Sequence, residues 1–464
     1  MNKRETGQVL PLGLVLVALG MVGAFMLFNT GQVASDKMRL ANSADAAAYS
    51  GALWQARALN YQAYANRAMV ANHVAVAQAV SLHSWMAYAT VTAENISTVL
   101  SFIPFVNVVA SAIERGVAFA EQPVSIAAKA MLRASDIAIT ALSQSQNLMQ
   151  VATYINTPEL IEVVASETDA RFSTNSVYGI TNTLENANQW RTFSKKYYKR
   201  DKAAVKEREK IVLASRDGFS RKRNWNLFDH WLPTGGLSIM KVRRQGETRL
   251  QSKSSSAGTD WEWMAKDTLS MHTRSLGWFR VNKLELPIGW ASSFANSKGS
   301  DSPIKNQKCK GCKHFTKHNH TAESAADYGI RSLRGRKTLQ SLSGYGGVRP
   351  FWVLSDKTRK AEDAKLRVRV EVSLPAKKLV QSNELNSAQT LSAPLVLAGN
   401  TLSSISVADV LYRRPDHRRL KKDKREKSNA YNPYWSVQLA NVSLVQRELA
   451  LGLRSGGSKP ATHQ

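Results

Sequence analysis

Chemistry is concentrated in one short stretch, KCKGCKHFTKHNH at 308–320. Cys309 and Cys312 are the two cysteines of the 464 residues, and His314 and His318 follow them as a His-x3-His pair. Two thiolates and two imidazoles at these spacings can close a tetrahedral zinc site, with His320 as a further donor. The same thiols form a disulfide in an oxidising compartment, and the lead-in ANSKGSDSPIKNQK (295–308) has the composition of a surface loop that needs neither. Thiol redox catalysis calls for Cys-x2-Cys at a helix N-terminus within a βαβ unit, a context missing here. Disulfide or inert loop, zinc, and redox use stand as alternatives, and no cofactor is expected beyond that zinc.

No other catalytic set stands out. SGYGGVRP (343–350) leads into a β-like segment rather than a helix, so it reads as a turn and not a phosphate loop. Gly-x-Ser-x-Gly and His-Glu-x-x-His do not occur. With 63 Lys+Arg against 35 Asp+Glu, carboxylates are in deficit and a paired-acid hydrolase is not suggested. A non-enzymatic protein is expected.

The elements that must carry these residues begin with an apolar run. MNKRETGQ (1–8) precedes VLPLGLVLVALGMVGAFMLF (9–28), twenty residues without a charge. At 1.5 Å per residue the run spans about 30 Å, the thickness of a bilayer core. Lys3 and Arg4 on the short side place the N-terminus in the cytoplasm, so everything after Phe28 is exported. The run is too long for a secretory signal, and only a poor cleavage site follows near 33–35. A second apolar stretch, 96–113, carries Pro104 and Asn107 at its middle and reads as a buried turn between two helices in preference to a second membrane span, the alternative for this stretch.

From 31 to 166 helix formers dominate. Gln55, Gln62, Asn66 and His73 recur at spacings of seven, four and seven, one stripe of a helix. Its partner is either another subunit or the chain's own second helical stretch, roughly 106–151. His73 and His83 read as interface histidines, since neither has a second ligand at helical spacing.

The helix entry carries a resemblance. The anchor preceded by TGQ, then LANSADAAAYSGA (40–52) and ALNYQAYANRAMVAN (58–72), resembles the TadE/TadG-like group of tight-adherence (Flp) pilus-assembly proteins. The matching residues are Asn42, Ala44, Asp45, Ala46, Ala47, Ala48, Ser50, Gly51 and Ala52, over about the first 80 residues. The resemblance implies a bitopic inner-membrane protein that helps assemble a type IVb pilus, with other pilus-assembly subunits as partners and self-association through the Ala-rich helix. Leu12 stands where processed pilin-like proteins carry glutamate, so prepilin-peptidase cleavage is not expected. The Asp-x-Ser-x-Ser metal motif of the larger members is absent.

Composition changes after 166. Tryptophan becomes frequent and β-like segments appear at 237–244 and 247–253, flanking a turn at Gln245-Gly246, then at 278–286, 348–356, 366–374, 404–413 and 435–444. LRVRVEVSL (366–374) alternates, one face buried and one wet. The formal charge of +28 attracts polyanions, whether nucleic acid, acidic polysaccharide or anionic lipid. Three basic stretches carry much of it: an exposed helix at 195–210, then 216–225, then a loop at 412–435. On an exported domain these read as solvated surface, and nucleic acid is the disfavoured partner.

The expected architecture is α+β: cytoplasmic 1–8, transmembrane helix 9–28, helical stalk or hairpin 29–166, and a β-rich antiparallel periplasmic domain 167–464. A membrane-anchored pilus-assembly scaffold or minor pilin-like subunit fits it. The alternatives are an exported basic polyanion-binding protein and a zinc- or thiol-dependent protein centred on 309–320.

Overall fold

Pro11 lies in the first turn of a helix that then meets no proline for its whole length; its missing N–H costs nothing there. The computed structural model describes residues 9–101, 106–226, 232–234, 238–276, 281–303, 315–361, 364–380, 401–414 and 426–455. Helices α1 (Val9–Leu100) and α2 (Val106–Thr168) lead, followed by α3 (Val177–Phe193), β1 (Ser194–Tyr197), α4 (Lys202–Ala214) and α5 (Gly218–Arg221). Then come β2 (Trp225–Asn226), β3 (Leu232–Thr234), β4 (Ser238–Ser255), β5 (Gly258–Leu276), β6 (Val281–Asn296), α6 (His320–Asp327), β7 (Leu339–Ser341) and β8 (Phe351–Leu354). The chain closes with α7 (Asp356–Lys360), β9 (Lys365–Pro375), β10 (Thr401–Tyr412), β11 (Trp435–Ala440) and α8 (Leu444–Ser455). Among the described residues α1 is the one helix long and apolar enough to cross a membrane, and the apolar window at its start is wholly unburied.

The chain forms two compact units, each drawing residues from both sides of position 166. The first comprises 1–63, 148–195 and 353–464; the second comprises 64–147 and 196–352.

In the first unit β9, β10 and β11 make an antiparallel sheet in the order β11-β10-β9. Leu366, Val368, Val370, Val372 and Leu374 alternate along β9 and are all buried, as the sequence pattern predicts. The opposite face is less wet than expected. Glu371 is buried and accepts a hydrogen bond from Ser403 Oγ (2.9 Å), while Arg367 pairs with Asp409 across the strands (2.7 Å). β9 is an edge strand, and α3 covers that edge. Asn186 donates to the Arg369 carbonyl (2.8 Å) and accepts from its N–H (3.0 Å), a side-chain amide pairing a free strand edge.

In the second unit the sheet runs β2-β4-β5-β6-β7, with β3 also on β4. Its pairs are antiparallel except β6–β7, which is parallel. Here the expected turn at Gln245-Gly246 is overturned. β4 runs straight through it, and the chain reverses ten residues later, where Ser255 pairs with Gly258. Gly246 serves close approach: a Cβ there would lie 2.2 Å from Asp267 Oδ1, opposite it in the register. β5 lies between β4 and β6 and is buried continuously from Trp261 to Ser270, so Trp261 and Trp263 are core residues.

Two further expectations change. Pro104 lies outside the described residues, and its flanks are only partly buried: Ile96, Val99, Val108 and Val109 are exposed, while Ser97 and Ala110 are buried. The buried side of α1 at this end is its polar one. Glu94 accepts from Ser332 Oγ (2.7 Å) and Asn95 Oδ1 from the Leu333 N–H (3.0 Å). The basic stretches are also only partly solvated. Residues 195–197 are strand, and Arg208 of α4 is buried with its guanidinium 4.0 Å from the centre of the Phe351 ring. Part of the 412–435 loop, 415–425, lies outside the described residues.

Candidate functional site

The NSADAAAYSGA segment of α1 divides by face. Ser43, Ala44, Ala47, Ala48, Gly51 and Ala52 are buried within the first unit, whereas Asn42, Asp45 and Ala46 are exposed and Ser50 is half-buried. Positions recurring at three and four residues form one helical stripe. That stripe joins a core with Ile161 and Ala165 of α2 and Leu366, Val368 and Val370 of β9. A Cβ on Gly51 would come within 2.8 Å of Ile161 Cγ1 and 3.5 Å of Val368 Cγ1, so backbone and neighbours are in direct contact. Ser43 Oγ donates to the Ala165 carbonyl at 3.5 Å, and farther along Asn60 exchanges two hydrogen bonds with the Trp435 backbone (2.9 and 3.0 Å). Short side chains here let α1 lie against a helix and a sheet at once.

The polar stripe is buried at all four positions, Gln55, Gln62, Asn66 and His73. In the first unit Gln62 donates to Gln150 Oε1 (2.6 Å). In the second, Asn66 donates to the Trp352 carbonyl (2.8 Å) and accepts from Gln146 (3.1 Å). His73 Nδ1 is 3.0 Å from the Tyr345 hydroxyl and its ring meets Trp261 edge-on. Burial first, then the nearby Arg208 and Arg349 charges, hold His73 well below the usual imidazole range. His83 lies between Ser293 Oγ (2.8 Å) and Ser125 Oγ (3.1 Å); burial and then Lys129 bring its pKa down to about 4.

Because its folded pKa is depressed, neutral His83 contributes stability that is present above the unfolded pKa and lost as pH falls from about 6.5 towards 4. The full contribution is about 3 kcal/mol. Unfolding curves of His83→Gln across that window should lose up to one proton's share of the acid-side slope; an unchanged slope would mean that His83 titrates normally.

Sequence reasoning missed a buried charge cluster in the second unit. Asp267, fully buried on β5, receives Arg223 Nε at 2.8 Å, Arg244 at 3.0 Å and the Ser84 hydroxyl of α1 at 2.8 Å. Ser81, one helical turn earlier, meets Thr248 Oγ1 at 2.7 Å. The one legible signal is a glycine inside a strand, Gly246, whose missing side chain makes room for the carboxylate.

Cys309, Cys312 and His314 lie outside the described residues. His318 is half-buried, and its backbone N–H donates to Gln245 Oε1 (2.9 Å). Its neighbour Asn319 is buried beneath β4, donating to the Arg243 carbonyl (2.9 Å) and bonding His272 Nε2 (2.9 Å). Among the described residues no group of three or more His, Cys, Asp or Glu could hold a metal ion.

Comparison with known proteins bears on the N-terminal part. The Flp pilus-assembly TadE/G-like family model matches residues 7–57. Searches of curated proteins and of solved structures gave no match. The match begins before the membrane-length segment and ends within α1, taking in both the buried small-residue stripe and the exposed Asn42–Asp45 edge. Over this N-terminal stretch the chain is similar to the Flp pilus-assembly TadE/G-like proteins.

Proposed function

We propose that the chain is a non-enzymatic inner-membrane component of Flp (tight-adherence) pilus assembly, acting as a scaffold or minor pilin-like subunit. Residues 9–28 cross the membrane once with the N-terminus in the cytoplasm, and the rest stands in the periplasm. Other pilus-assembly subunits, or a second copy, contact the exposed edge of α1 near Asn42 and Asp45. The observation that carries this reading is that matched residues 9–57, the membrane-length segment among them, lie on one uninterrupted helix. A polar and small-residue edge just beyond the bilayer is available to other anchored helices without unfolding the core.

Fractionation and protease accessibility of a C-terminally tagged chain test the topology. The expected result is membrane retention through carbonate washing, with the tag digested once the outer membrane is opened. A soluble protein, or a tag protected until the inner membrane is broken, overturns the reading.

A further inference from the structure

The second unit holds a cleft of about 700 Å³ that the pilus reading leaves unused. β4 builds its floor. Arg243, Gln245, Glu247 and Arg249 recur at every second position and so share one face of the strand. β2 supplies Trp225 and Asn226, and the segment before α6 supplies Phe315, Lys317, His318 and His320. Gln245 fixes that segment by accepting from the N–H groups of His318 (2.9 Å) and Asn319 (3.3 Å).

The charge of the lining is one-sided. Glu247 is its carboxylate, and it is already bonded to Arg249 (2.8 Å). Arg244 is held by Asp267. Lys222, Arg243 and Lys317 meet no carboxylate among the described residues, and Arg243 faces another cation, Arg274. Lys222, Trp225 and Lys317 are exposed, so cations and a flat indole face are presented together. Such a lining attracts an anion and offers a ring something to stack on.

We propose that this cleft binds an acidic polysaccharide. Arg243 takes a carboxylate in the two-pronged geometry of a guanidinium, and Lys222 and Lys317 take neighbouring charges. Trp225 packs on a sugar ring, with Asn226 beside it for hydroxyl groups. A nucleic acid would satisfy the same cations and stack on the same indole; the choice of a glycan rests on the periplasmic placement proposed above.

The test uses the full-length chain in non-ionic detergent and fluorescently labelled polygalacturonate, with labelled single-stranded DNA and neutral dextran as the other arms. The expected result is salt-sensitive binding of polygalacturonate and none of dextran. Arg243→Glu and Lys317→Glu should each weaken it at least about tenfold, the worth of one charge-assisted contact. Trp225→Ala should weaken it while leaving the salt dependence unchanged. Lys317 is exposed, so its variant stays informative if Arg243→Glu fails to fold. Absence of binding, binding indifferent to both charge reversals, or tighter binding of DNA with the same sensitivity overturns the proposal. Binding in detergent is independent of topology, so a failed glycan and a failed periplasmic placement give separate results.

Discussion

Asp267→Asn should cost the second unit about 3–5 kcal/mol, because it leaves two buried guanidinium groups without their counter-charge. Asp267 has no solvent exposure and Arg223 and Arg244 have almost none, so water cannot replace the lost carboxylate. The substituted amide turns an N–H towards one of these donors, and the Ser84 hydroxyl of α1 loses the anionic character of its acceptor. Amide hydrogen exchange followed by mass spectrometry reads this locally. Peptides covering β4, β5 and 78–90 of α1 should lose protection, while β9 and β10 in the other unit change little. Replacing the charges together, as Asp267→Leu with Arg223→Met, should recover part of the loss, since apolar groups of similar size avoid burying an unpaired ion. Full protection in Asp267→Asn would show that the cluster is hydrated and the pairing weak.

This cluster marks where sequence reading gave out. Local patterns were readable: the valines of 366–374 announced a strand buried on one face, and the helix formers that dominate 31–166 announced long helices. The Gln55–His73 stripe announced a buried helical face. Each depends on residues within a turn or two of one another. Gly246 shows the failure. A glycine following Gln245 between two apolar-alternating runs looks like a turn, because turn chemistry and close approach both select glycine. Only the β4–β5 register, which puts Gly246 opposite Asp267, separates the two. The same applies to Arg208 and Arg223, which read as solvated charge because their partners, Phe351 and Asp267, lie far along the chain. The partner of the small-residue face was equally hidden, since Gly51 and Val368 are separated by most of the sequence. Of the candidate metal set His318 and the further donor His320 lie among the described residues, so the disulfide, loop, zinc and redox readings of 309–314 remain the alternatives that spacing gave.

A graded series at Gly51 separates what the helix face does for its own fold from what it does for partners. Gly51→Ala gains about 1 kcal/mol of helix propensity but presses a methyl on Ile161, so the two effects should nearly cancel. Gly51→Leu cannot be absorbed in this way. Its added carbons enter space held by Ile161 on one side and Val368 on the other, and overpacking of this kind costs about 1–3 kcal/mol. Exchange protection should then fall in β9, β10 and the end of α2, and assembly should fail as a consequence. Asn42→Ala and Asp45→Asn lie on the exposed edge of the same segment and should leave stability within about 0.5 kcal/mol. If that edge is where other anchored subunits dock, these two variants should be stably folded and membrane-inserted yet defective in pilus assembly. Normal pili in both would remove the partner role from this edge, because the buried half of the segment is already accounted for by Ile161, Ala165 and the β9 valines.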